Sequence, residues 1–254
     1  MQLAGCLWSL PDAPVDAAAI AERDGFDAID VDPGFSVAGP RRDGLPVSCV
    51  AVAHLMADGV RLEAEDDAVR AAAVSHVERA LAEAAQLGAA RAYVGPASAT
   101  DQSMRSRYRI SVMQLADAAA AHGIRLGIEH FPNRGLPTVA STLAFIRDTG
   151  HPNLYVLLDI GHCLITGEDF TACVGEAGDR LIYVHADDND GTSDQHRGLY
   201  DGLIQPAQVE ALFGALTDHG YDGAIGVETN PHLDDPYAAF RGTLHALREV
   251  LGRR

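Results

Sequence analysis

One phrase recurs along the chain: an Ala-rich helical end, a glycine, then a short apolar run. It reads AERDGFDAIDV, AEAAQLGAARAYV, AAAHGIRLGIE, FIRDTGHPNLYVLLD and ALTDHGYDGAIGVE, with GEAGDRLIYVH a looser copy. A glycine just past a helix takes positive φ at little cost, so each one marks where a helix stops. The runs that follow are near-continuous in Val, Ile, Leu and Ala, which suits a parallel strand covered on both faces. Strand and helix alternating without tandem hairpins mean βαβ units.

Eight strands are predicted, at residues 3–8, 26–31, 47–53, 90–95, 125–129, 155–159, 181–185 and 224–228. The clearest helical patterns lie at 66–86, 104–121, 206–219 and 236–251. Eight strands in 254 residues match an α/β (β/α)8 TIM barrel, which commonly fills about 250 residues as one unit. No Pro/Gly/Ser linker divides the chain, so residues 1–254 are read as a single domain. A doubly wound sheet is the competitor, but no GxGxxG follows the first strand.

Composition narrows the chemistry. All 19 cations are arginine, against 36 acids, for a formal net charge of −17. Without lysine, Schiff-base aldolases, lysine-anchored pyridoxal enzymes, Walker-type phosphate loops and kinases are excluded. The acidic balance counts against nucleic acid as a partner and leaves a small substrate or a divalent cation open. Cys6, Cys49, Cys163 and Cys173 stand apart without a CxxC pair and read as buried thiols of a reducing compartment. No basic leader and no apolar run of about 18 residues is present, so the expectation is a cytoplasmic protein with no membrane contact.

In such barrels the active site lies at the C-terminal ends of the strands. The fifth run, LGIEHFP, closes on Glu129; the sixth, VLLDIGH, on Asp159 with His162 three residues on. The seventh, IYVHADDND, closes on His185 and the eighth, AIGVETNP, on Glu228. Carboxylates at the ends of apolar strands are partly desolvated, and several together repel one another. A divalent cation resolves both problems. Three carboxylates and one imidazole suit Mn²⁺, Mg²⁺ or Co²⁺, and Zn²⁺ remains compatible. A lone strand-end acid is more often a helix cap; four in succession point to a metal.

Other residues of this mouth are candidates for substrate contact. His54 ends the third strand, His162 shares a turn with Asp159, and Asp194, His196 and Arg197 lie in the polar loop GTSDQHR. Their plain alternatives are a hydrogen-bonded rim histidine and a solvated loop. The acids at 63–67 read as a helix opening, where the dipole favours them. Trp8 and Phe35 can wall a small pocket, although a lone Trp is more often core.

At these residues the sequence resembles the xylose isomerase-like superfamily of TIM barrels, in the sugar-phosphate isomerase/epimerase branch related to AP endonuclease family 2. LAEAAQLGAARAYVGP, GIRLGIEHFPN, VLLDIGHCLITGED, VHADDNDGTSDQH and GAIGVET carry the resemblance. It implies one divalent metal held by Glu129, Asp159, His185 and Glu228, with the two glutamates doubling as the acid/base pair. It also implies that His162 contacts substrate beside Asp194 and His196; in the endonuclease branch the matching residues are ligands of additional zinc ions. The chain departs from that fuller set at YVGP, which lacks a histidine. It departs again at residues 200–205, where YDGLIQ replaces G-x-G-x-I-D, and at Asp30 and Asp32, where a glutamate is common.

The function expected is a metal-dependent sugar, or sugar-like ketone, isomerase/epimerase working through an enediolate. Three rivals stay open: a dehydratase of the inosose or dehydroshikimate type on the same site, a zinc phosphoesterase, and a barrel subunit without catalysis. The partner expected is a sugar or cyclitol ketone, taken by a monomer or a homo-oligomer.

Overall fold

All eight predicted strands form, and they pair only in parallel, in chain order, until the last closes on the first. In the computed structural model, which describes residues 1–35 and 44–252, they are β1 (Gln2–Cys6), β2 (Ala28–Val31), β3 (Val47–Val50), β4 (Arg91–Val94), β5 (Arg125–Glu129), β6 (Leu154–Asp159), β7 (Leu181–Ala186) and β8 (Ala224–Val227). The described helices are α1 (Pro14–Asp24), α2 (Asp67–Gln86), α3 (Gln102–Ala121), α4 (Val139–Thr149), α5 (Ile160–Thr166), α6 (Phe170–Ala177), α7 (Pro206–Asp218) and α8 (Pro236–Gly252). This is a single (β/α)8 barrel. Among the described residues no helix joins β2 to β3, and two short helices follow β6. The split after β6 has a local cause: Gly167, at φ 73°, ends α5, and the Asp169 carboxylate caps α6 through the Ala172 N–H.

Two strands stop short of their apolar runs. The first predicted strand covers 3–8, but Leu7–Ser9 form a 3-10 turn, so Trp8 leaves the sheet. The third covers 47–53, but the chain turns after Val50, with His54 N–H bonded to the Ala51 carbonyl. Both departures fall at the C-terminal ends of the strands, where the barrel mouth begins. The acids at 63–67 include the expected cap: Asp66 accepts the N–H groups of Ala68 and Val69 at the start of α2.

Two apolar layers hold the fold. The outer one packs sheet against helices and includes Leu3, Val31, Leu126, Val156, Phe213, Phe240 and Leu244, all essentially buried. The inner one fills the barrel with small residues, Ala4, Ala28, Ala51 and Ala224, around Tyr93, Leu157, Ile182 and Tyr183. Tyr183 brings a hydroxyl into this interior, 2.7 Å from Asp30 Oδ1 and 2.9 Å from Ser48 Oγ. That partner lets a carboxyl sit in the barrel centre, where burial pushes Asp30 up to about 6. The four cysteines are free and buried. Among the described residues no helix is long and apolar enough to cross a membrane.

Candidate active site

Parallel strands deliver their last residues to one end of the barrel, and here that end carries the four strand-end donors. Glu129 and Asp159 are the final residues of β5 and β6, His185 is the penultimate residue of β7, and Glu228 directly follows β8. One ligand atom from each lies within 4.8 Å of the other three, and all four residues are buried. His185 Nδ1 is the hub, 2.8 Å from Glu228 Oε2, 3.2 Å from Glu129 Oε1 and 3.9 Å from Asp159 Oδ2.

Two of the carboxylates are held from behind by one oxygen and present the other. Asp159 Oδ1 accepts the His162 backbone N–H at 2.7 Å, at the start of α5. Glu228 Oε1 accepts the Trp8 indole N–H at 2.7 Å. The remaining oxygens, Asp159 Oδ2 and Glu228 Oε2, are buried without an aligned hydrogen bond. Orphaned acceptors beside an imidazole nitrogen fit a cation, since such groups are otherwise costly to bury.

The electrostatics agree. Burial, helped by Asp187, pushes the Asp159 carboxyl up to about 7. Burial alone would lower the His185 imidazole, but Glu228 and Glu129 override it and hold it well above its ordinary value. Burial would raise Glu228, but His185, His196 and the Trp8 hydrogen bond draw it well below. Protons are thus redistributed inside a cluster of three acids and one base, the situation a divalent cation relieves. Three hard oxygen donors and one nitrogen suit Mn²⁺, Mg²⁺ or Co²⁺, and also accommodate Zn²⁺.

A second ring of polar groups stands beside the first. His162 Nδ1 donates to the His130 carbonyl at 2.8 Å, and its Nε2 lies 3.4 Å from Asp194 Oδ1. His196 Nε2 lies 3.1 Å from the same oxygen, and its Nδ1 2.8 Å from Asp187 Oδ2. Asp194 therefore bridges the two histidines, and their charges hold its carboxyl low against the cost of burial. Burial works against the His162 cation, yet Asp159 and Asp194 push it up to about 10.

Backbone contacts fix this ring. Asn189 Oδ1 accepts the N–H groups of Gln195 and His196, and holds His196 at φ 45°. Buried Asp188 accepts five backbone N–H groups, from Asn189, Tyr200, Gly202, Leu203 and Ile204, and grips the loop before α7. Gly161 donates its N–H to Asp187 Oδ1 at 3.0 Å. A Cβ at that position would lie 2.2 Å from the same oxygen and 2.5 Å from Asn189 Nδ2, which accounts for the glycine of the DIGH motif. Gly161→Ala is expected to cost about 1–3 kcal/mol by forcing these groups apart. Urea unfolding checks it, and an unchanged midpoint would refute the close-approach argument.

The remaining candidates divide. His54 reaches the mouth: its Nδ1 lies 2.8 Å from Asp32 Oδ1, and its ring stands edge-on to Trp8 with centroids 5.2 Å apart. Arg197 instead pairs its backbone with Asp188 and turns its guanidinium to the Asp201 carbonyl at 3.3 Å. Phe35 lines the same cleft as Trp8, as a pocket wall should. Trp8 lines that cleft too, as one of its two readings had it, and once β1 ends at Cys6 the 3-10 turn also brings its indole N–H to Glu228. Sequence reasoning also passed over Asp187 and Asp188. Their signal was a pair of acids directly after an apolar strand, in a loop that could have been merely solvated. His76, on α2, donates its ring Nε2–H to the His54 carbonyl at 2.8 Å.

Comparison with known proteins follows the same lines. Residues 40–250 match the family described as the xylose isomerase-like TIM barrel. The L-ribulose 3-epimerase of Mesorhizobium japonicum is 34% identical over 128 residues, 49% of this chain and 40% of that protein. The D-psicose 3-epimerase of Agrobacterium fabrum is 33% identical over 179 residues, 66% of this chain and 59% of that one. The chain spans about half the length of the curated relatives it matches. The structure of a 3-keto-D-glucoside 4-epimerase from E. coli superposes with a TM-score of 0.81 at 20% identity, covering 98% of this chain and 99% of that one, a likeness of fold. With its closed parallel barrel and a family match that takes in all four strand-end donors, this chain belongs to the xylose isomerase-like TIM barrel family.

Proposed function

We propose that the protein is a divalent-metal-dependent sugar epimerase that inverts a carbon beside a ketose carbonyl. The observation that carries this reading is the pair Glu129 and Glu228, two buried carboxylates that meet at one imidazole from strands β5 and β8, three positions apart in the closed sheet. The named activities of the two curated relatives, both 3-epimerases, support a ketose as the substrate.

A divalent cation held by Glu129, Asp159, His185 and Glu228 would supply Lewis-acid polarisation of the ketose carbonyl. The chain supplies the proton carriers. Inversion at carbon requires removal of a proton from one face and delivery to the other. Two carboxylates arriving from separated strands can flank a bound sugar on both faces, which a single base cannot do. Lysine is absent, so the carboxylates are the natural bases of the site, and Glu129 and Glu228 are the two that arrive from well-separated strands. Trp8 holds one Glu228 oxygen and so fixes the direction of the other. His162 and His196, joined through Asp194, present a polar wall suited to sugar hydroxyls.

Incubating the Mn²⁺-supplemented protein with ketopentoses and ketohexoses in D₂O tests the reading. The expected result is deuterium at C3 of both the recovered ketose and its C3 epimer, followed by NMR. Deuterium at C1 or C2 of an aldose product would make it an isomerase, and a product short of one water a dehydratase. Absence of exchange with every ketose would remove the catalytic reading.

A further inference from the structure

A cavity of about 290 Å³ opens from Glu129 toward the rim, and its wall holds His54, Tyr93, Glu63, Arg61 and Arg134. Two guanidinium groups in the wall of a sugar-sized space are unexpected in a chain of net charge −17, and they lie on different loops, after β3 and after β5. Among the described residues, neither forms an ion pair with a carboxylate of the protein. Of the two acids in this wall, Glu129 belongs to the strand-end cluster, and buried Glu63 accepts the Ser98 backbone N–H on Oε1 at 3.0 Å.

Arg134 is the better built of the two. It sits in a turn where Asn133 takes φ 63°, Arg134 N–H bonds the Phe131 carbonyl and Gly135 N–H bonds the Ala97 carbonyl at 2.8 Å. A Cβ at Gly135 would fall 2.7 Å and 2.9 Å from the Ala99 and Ala97 carbonyl oxygens, so the turn is pressed directly onto the loop after β4. The guanidinium lies 4.4 Å above the Phe131 ring, whose centroid is 4.5 Å from that of His162. Among the described residues the Arg134 side-chain N–H groups make no hydrogen bond or ion pair to the protein, so they can serve a carboxylate or phosphate through two hydrogen bonds. The Arg134 guanidinium thus stands at the exposed rim of the cavity, against the Phe131 ring that lines it.

We infer that Arg134 and Arg61 form an anion-recognising end of the substrate site, so that the preferred substrate is a ketose bearing an anionic group at the end of the chain away from its carbonyl. This rests on the epimerase reading for the reacting end, and it adds the chemistry of the other end. A terminal phosphate and a terminal carboxylate present the same chemistry to the two forks.

The test has a kinetic and a binding arm on the Mn²⁺-supplemented protein. In the first, a ketose, its terminal phosphate ester and its terminally oxidised acid are compared by kcat/KM, in the wild type and in Arg134→Ala and Arg61→Ala. One charge-assisted contact is worth about 10–100-fold. The anionic form should therefore be preferred by at least tenfold, and each variant should shrink that preference by about tenfold. Preference for the ester identifies phosphate as the source and preference for the acid identifies carboxylate; either supports the inference. Equal rates on neutral and anionic ketoses overturn it and leave the epimerase reading intact.

In the second arm, calorimetry compares a hexitol with a hexitol 6-phosphate and the matching terminal hexonate, none of which can turn over. At least one anion should bind more tightly than the hexitol, lose affinity as salt rises, and lose about tenfold in Arg134→Ala. If no ketose exchanges deuterium but this binding pattern holds, the epimerase reading fails and the anion site stands. If both anions bind no better than the hexitol, the anion site fails.

Discussion

Glu228→Gln and Glu129→Gln are each expected to lower kcat by about 10²–10⁴-fold, the range for loss of a positioned acid or base. Glutamine keeps the size and one oxygen donor but neither takes up nor releases a proton at pH 7, so the change falls on proton transfer before packing. Glu228→Gln also retains an oxygen for the Trp8 indole N–H, so the orientation seen at 2.7 Å has a counterpart in the variant. Metal content measured beside the rate separates the two duties of each residue. A variant that keeps its metal and loses turnover marks a proton carrier; one that loses both marks chiefly a ligand. If either variant turned over its ketose at near wild-type rates, the two-glutamate mechanism would be wrong. The deuterium label adds a finer expectation: a variant lacking one carrier should still exchange one face of the carbon while failing to invert it.

Stripping the divalent cation is expected to lower thermal stability, and restoring Mn²⁺ to recover it. A ligand that binds the folded state alone at a thousandfold excess over its Kd contributes about 4 kcal/mol, or roughly 10 °C in a domain of this size. The effect should depend on pH. In the metal-free site Asp159 is raised from 3.8 to about 7, so the folded chain keeps a proton that the unfolded chain has released. Stability from this group is therefore lost as pH rises from about 4 to 7. His185 is raised well above 6.5 and has the same sign: its contribution is present below 6.5 and is lost as pH rises through the folded value. The cation displaces these protons, so its affinity should climb about tenfold per pH unit for each proton released. Melting curves at several pH values, with and without a chelator, check both statements. Identical melting with and without metal would sink the assignment of the four donors.

Much of the fold is legible in the sequence. The barrel followed from glycines that end helices and from apolar runs that alternate with them, because both signals are local. The clustering of Glu129, Asp159, His185 and Glu228 was legible because a parallel barrel brings every strand end to one mouth. What was hidden depended on where strands stop and on which side chains meet across loops. The hydrogen bond from Trp8 to Glu228 is hidden until β1 ends two residues before the indole. Asp188 reads as a solvated loop acid until five backbone N–H groups close on it. Arg197 sits in the right loop, yet its side chain turns to Asp201, and sequence carries no signal for that rotamer. Arg134 drew no notice because a lone arginine in a turn is ordinary; the Phe131 face and the carbonyls beneath Gly135 make it otherwise.

The grip of Asp188 on residues 200–204 bears on how the site is loaded. That carboxylate spends its acceptors on peptide N–H groups and none on the four-donor cluster, so the loop is anchored by folding alone. Loading a cation would then seat an ion in a cup already shaped, with little further apolar surface withdrawn from water. The calorimetric signature of such a process is a heat-capacity change close to zero, unlike the large negative value of a site that folds around its metal.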